Sequence, residues 1–94
     1  MTERRFKNVW DAIEASPADA AAMKVRADLM IAIREVIDGW KMTQSDSAKK
    51  LGLTQPRLSD LLRGKIDKFS LDALVNLAER AGLAVRVEVV RKAA

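Results

Sequence analysis

The sequence contains no cysteine, no histidine and no tyrosine in 94 residues. Together these absences exclude disulfides, thiol nucleophiles, zinc sites built on Cys or His, and imidazole acid–base chemistry. Aromatic residues are few, namely Phe6, Trp10, Trp40 and Phe69, and none lies on the exposed helix of the basic segment, so unpaired RNA bases would find no stacking platform. No apolar run approaches the roughly eighteen residues of a membrane span, and the start, Met1-Thr2-Glu3-Arg4-Arg5-Phe6, runs straight into charges without the apolar core of a secretory leader. A cytoplasmic protein with no membrane partner is expected. The thirteen acidic residues are scattered among basic ones with neither paired-acid nor metal-ligand spacing. No enzymatic activity, catalytic residue, metal or cofactor is therefore expected.

What is present is the balance of a folded chain: 49% apolar and 32% charged residues, too apolar for a disordered tail. The length allows one domain over residues 1–94 with a modest helical core, and no separate effector-sensing module. The positive charge is localised. Residues 1–40 carry six Lys/Arg against seven Asp/Glu, residues 41–68 seven against three, and residues 69–94 four against three. A cationic middle segment is the electrostatic footprint of a phosphate-binding surface, although a charge run alone usually marks only a solvated face.

Periodicity and caps divide the chain. Phe6, Val9, Trp10 and Ile13 recur at helical spacing after Asn8, so residues 1–16 read as an arm or short helix. Ser16-Pro17-Ala18-Asp19 is a helix start, with a hydroxyl cap, proline at the first helical position and an acid near the positive dipole end. That helix is expected to run to about Asp38, to end at Gly39, and to bury Val25, Leu29, Ile33, Val36 and Ile37. Thr43-Gln44-Ser45-Asp46 repeats the start signal for a short helix closed at Leu51-Gly52. Thr54 caps the next, which turns Leu58, Leu61 and Leu62 inward and stops at Arg63-Gly64. Ser70 caps a last helix through Arg80, with Leu71, Leu74, Leu77 and Ala78 apolar and Gly82 as its stop. The helical core thus covers residues 17–82. In the segment 83–94, Val85-Arg86-Val87-Glu88-Val89 alternates strictly between apolar and polar, the period of a strand, with no second strand to pair it.

Ala48, Gly52, Leu53 and Leu58 supply what a helix-turn-helix requires: a small residue at the helix crossing, a glycine in the turn and apolar residues locking the axes. Spacing alone fits an ordinary helical hairpin equally well. The polar face decides against that. Away from Leu58, Leu61 and Leu62 lie Gln55, Pro56, Ser59, Asp60 and Arg63, with Arg57 at the edge, where a structural helix would carry alternating Glu and Lys. Arg57 stands at the third helical position, where glutamate would suit both cap and dipole. A cation there makes sense opposite a phosphate or a guanine.

Thr43-Gln44, Ala48 through Gln55, Leu58-Ser59 and Arg63-Gly64 resemble the phage-repressor (Cro/C1, XRE-type) helix-turn-helix over residues 43–64. The flanking helices are similar to the five-helix repressor domain. Asn8-Val9-Trp10, Thr54-Gln55-Pro56-Arg57, Gly64-Lys65 and Phe69-Ser70-Leu71 are similar to HigA-type antitoxins. The resemblance implies an all-α, five-helix DNA-binding transcriptional repressor. It places Thr43, Gln44, Thr54, Ser59, Arg63 and Lys65 on the DNA backbone, and Gln55, Pro56, Arg57 and Asp60 at the bases. Glutamine suits adenine, since its amide donates to N7 and accepts from N6. Pro56 departs from the polar residue many repressors carry there, and can only touch a thymine methyl or set the helix start. Arg57 fits guanine or a phosphate; Asp60 fits cytosine N4 or an orienting contact to Arg57. For Lys49, Lys50 and Lys68, solubility is the first reading.

A single such domain covers half a palindromic operator, so a homodimer on double-stranded DNA is expected. Antiparallel pairing of two copies of Val85, Arg86, Val87, Glu88 and Val89 about Val87 would set Arg86 of one chain against Glu88 of the other. Alternatively that strand pads its own domain or joins another protein's sheet edge. Phe6, Val9 and Trp10 form an apolar anchor for a partner such as a RelE-like toxin, or simply pack on their own domain. The two function classes that follow are an antitoxin that autoregulates its operon and a stand-alone repressor with no toxin partner.

Overall fold

The computed structural model describes residues 17–93. Among these residues four α-helices form in the order α1 (Pro17–Trp40), α2 (Gln44–Leu51), α3 (Gln55–Leu62) and α4 (Leu71–Arg80), with a one-turn 3-10 helix at Ile66–Lys68. α1 packs against α4, α3 and the 3-10 turn, while α2 packs against α3 and α4. The expected helix or arm at 1–16, with Phe6, Val9 and Trp10 and the Ser16 cap, lies outside the described residues.

Three short helices begin as their sequences dictate. Thr43 Oγ1, Thr54 Oγ1 and Ser70 Oγ accept the backbone N–H of Asp46, Arg57 and Ala73 at 3.1, 3.3 and 3.1 Å, each satisfying a donor that the helix leaves without a partner. Residues at helical spacing then meet in one core. Ile33 of α1, Leu51 of α2, Leu58 and Leu61 of α3, and Leu74 of α4 are fully buried, joined by Met30, Ile37, Ala48, Phe69, Leu77 and Ala78. Burial of each large aliphatic side chain is worth about 1.5–3 kcal/mol. Phe69 and Leu74 flank the Ser70 cap at the positions of a hydrophobic staple, as Leu53 and Leu58 flank Thr54.

The structure corrects two expectations about the helices. Gly39 does not end α1, which continues to Trp40, and Lys41 takes the left-handed turn with φ 56°. The reason is the stripe Ile33, Ile37, Trp40 at four- and three-residue spacing. Trp40 packs on the core, and its ring carries the Lys50 ammonium 4.7 Å from the centroid. Val25 is not buried but 47% exposed, because the core residues of α1 begin at Leu29. Leu71, the first residue of α4, is exposed as well.

Residues 85–89 form no strand, and none occurs among the described residues. A strand exists only by exchanging backbone hydrogen bonds with a neighbour, and the described residues present none beside it. Leu83 and Val85 pack on the core, whereas Val87, Val89 and Val90 project into solvent. The architecture of the described residues is therefore all-α.

Two glycines should respond oppositely to alanine. Gly39 is helical with nothing within 4 Å of an added Cβ, so Gly39→Ala should stabilise by about 0.5–1 kcal/mol. At Gly52, φ is 71° and a Cβ would collide with the Arg80 guanidinium, so Gly52→Ala should destabilise by at least about 1–2 kcal/mol. Thermal melting, at about 4–8 °C per kcal/mol for a domain of this size, reads both signs.

Candidate nucleic-acid interface

α2 ends in a Schellman closure. The N–H of Gly52 bonds Lys49 O at 3.1 Å, and that of Leu53 bonds Ala48 O at 2.8 Å, with Gly52 in the left-handed conformation. Arg80 of α4 adds a donor, its Nη1 lying 3.1 Å from Leu51 O. The turn is thereby tied to α4 and sets the direction in which α3 leaves.

That direction exposes the start of α3. Thr54, Gln55 and Pro56 are exposed, as are Thr43 and Gln44 at the start of α2. Pro56 sits at the second helical position, where the missing N–H costs no intrahelical bond. The Thr43 and Thr54 hydroxyls accept from their helices, which leaves each O–H as a donor. Arg63 is exposed, and Ser59, Asp60 and Lys65 are half-buried farther along the same helix and its closure.

Arg57 is engaged within the protein. Its guanidinium lies 3.9 Å from the Phe69 ring centroid, and Nη1 donates to Lys68 O at 2.6 Å. It thus bridges the third position of α3 to the segment leading into α4. Asp60 faces Lys65 and Lys68 rather than Arg57, with Oδ1 3.8 Å from Lys65 Nζ and Oδ2 3.9 Å from Lys68 Nζ. Of the four residues expected at the bases, Gln55 and Pro56 are therefore unencumbered, while Arg57 and Asp60 have intramolecular partners.

A family model described as a helix-turn-helix domain matches residues 12–90, a span that contains the whole Thr43–Gly64 unit and both helices packed on it. The chain belongs to this helix-turn-helix family. No curated protein matches it. In helix-turn-helix proteins the second helix of the motif lies in the major groove of DNA, its N-terminal residues at the base edges; here that helix is α3. No helix among the described residues is long and apolar enough to cross a membrane.

Two features of this helix-turn-helix protein were not foreseen. The Arg80 contact spans 29 positions to Leu51 and leaves no local trace in the sequence. The Arg57–Phe69 stack had a signal, since a phenylalanine directly before the Ser70 cap is placed for the core, and an arginine at the third helical position needs an acceptor. Arg57→Met should lower stability by about 1–2 kcal/mol, through loss of a charged hydrogen bond and a cation–π contact. An unchanged denaturation midpoint in the variant would show that the stack and its hydrogen bond add nothing to stability.

Proposed function

We propose that the protein is a cytoplasmic, sequence-specific DNA-binding transcriptional repressor of the Cro/C1 type, without enzymatic activity, that inserts α3 into the major groove. The observation carrying this reading is the exposed Gln55-Pro56 start of a helix whose axis is fixed by the Gly52 closure and whose far end carries Ser59, Arg63 and Lys65. Gln55 reads a base pair, adenine being the chemical match. Pro56 contributes apolar contact to a thymine methyl. Thr43, Gln44, Thr54, Ser59, Arg63 and Lys65 contact phosphates, which fix register without reading sequence.

The test is selection of duplexes from a randomised library, followed by titration of variants. Gln55→Ala should lose about 1–3 kcal/mol at one base pair only, while Arg63→Ala should weaken all duplexes alike and reduce the salt slope by about one. Equal losses on selected and random duplex for Gln55→Ala would remove it as a reader.

The protein acts in this reading as a homodimer on a palindrome with half-sites about 34 Å apart. The support is the tail, where Val87, Val89 and Val90 are 83%, 89% and 72% exposed, a β-rich apolar run awaiting a ladder partner. Residues 85–89 of two copies pair with Arg86 against Glu88. Deleting residues 84–94 should then give a monomer in light scattering with weakened DNA binding.

The same exposed tail, with exposed Ile31 and Met42 bordering a groove of about 590 Å³ between α1 and the helix-turn-helix unit, supports a second protein partner. On this reading the protein is an antitoxin that binds a RelE-like toxin and represses its own operon; a stand-alone repressor is the alternative. Purification from the native cytoplasm separates them. A stoichiometric small basic protein identifies the antitoxin, and DNA alone the lone repressor.

A further inference from the structure

The closure of α3 brings Lys65 onto Asp60. In a Schellman closure the residue after the left-handed glycine lies against the residue five positions before it. α2 and α4 place apolar pairs there, Leu53 with Ala48 and Leu83 with Ala78, their backbones bonded at 2.8 and 2.9 Å. α3 instead has Lys65 with Asp60, with a backbone bond of 3.0 Å and Nζ 3.8 Å from Oδ1. From the other side, Arg57 grips Lys68 O at 2.6 Å, and Lys68 Nζ stands 3.9 Å from Asp60 Oδ2. One carboxylate therefore faces two ammonium groups, one at each oxygen, on the helix that carries Gln55.

We propose that Asp60 is a specificity-determining residue: in the free protein it holds Lys65 and Lys68 as a phosphate would, and a DNA phosphate must displace it to engage them. The inference rests on the DNA-binding reading. Both distances exceed those of tight charge-assisted hydrogen bonds, and partly exposed ion pairs are weak enough to exchange. Once displaced, the carboxylate remains beside the polyanion and opposes binding wherever it gains no new partner. It regains a partner only where a cytosine N4 amino group comes within reach. Random duplex bears the full cost, and a matching duplex does not. Arg57 is a positioning residue in this arrangement, because its grip on Lys68 O keeps the second ammonium at the carboxylate.

The experiment compares the full-length wild type, Asp60→Asn, the pair Lys65→Gln/Lys68→Gln, and the combined triple variant. Fluorescence anisotropy is read at several salt concentrations on a fully randomised duplex and on a duplex selected by the wild type. Asp60→Asn should bind the randomised duplex about 3- to 10-fold more tightly with a steeper salt dependence, and its ratio of selected to random affinity should fall. The two lysine substitutions should cost more in the D60N background than in the otherwise wild-type chain, because there the lysines are unscreened. Unchanged affinity and ratio in D60N, or no coupling between the two sites, would overturn the role of Asp60. Wild-type protein that binds neither duplex would instead overturn the DNA-binding reading, and this inference with it.

Discussion

The geometry of the helix-turn-helix unit depends on one turn, Leu51-Gly52-Leu53. At the end of α2 the carbonyls of Ala48, Lys49 and Leu51 all find donors, two from the turn itself and one from Arg80. Gly52 makes this possible twice over, since a side chain there would strain the backbone and also push the Arg80 guanidinium off Leu51. Because α4 packs on α1, the arginine ties the orientation of α2 to the rest of the core rather than to local preference alone. In the proposed DNA-binding reading the exposed helix start has to be held in this way, because a small error in axis direction at the turn would move Gln55 away from a base edge.

The polar side of α3 divides into two kinds of residue. Gln55 and Pro56 are exposed, and neither has a hydrogen bond or ion pair to another side chain among the described residues. Arg57, Asp60, Lys65 and Lys68 instead form a connected framework around the end of α3 and the following turn. A cation at the third position of a helix is electrostatically disfavoured by the dipole. The Phe69 ring and the Lys68 carbonyl offset that penalty inside the protein, so the arginine needs no phosphate to be explained. The framework also places two lysines beside one acid, so the positive potential of this surface is moderated before any ligand arrives.

Much of the fold was legible because helix caps and closures are local. Thr43, Thr54 and Ser70 each accept a hydrogen bond three residues on, and Gly52, Gly64 and Gly82 each take a positive φ where a helix ends. Such signals involve neighbours in sequence, and spacing reveals them. Gly39 misled because the same residue type closes three other helices, while here the packing of Trp40 outweighs the helix-breaking tendency of glycine. The alternating valines at 85–89 misled for a different reason. Their period reports what the segment can do, whereas strand formation needs a partner that the described residues do not supply.

The sequence by itself determined four helix positions, the turn at Gly52 and the leucines that fill the core, since all of these follow from periodicity and capping over a few residues. Only the tertiary structure decided which polar side chains on α3 are free. Arg57 and Gln55 are two residues apart and look equally available in the sequence. The difference is made by Phe69 and Lys68, eleven or twelve positions away from Arg57, which the fold brings beneath one and not the other. A side chain's availability depends on what the fold packs against it, and no local pattern encodes that.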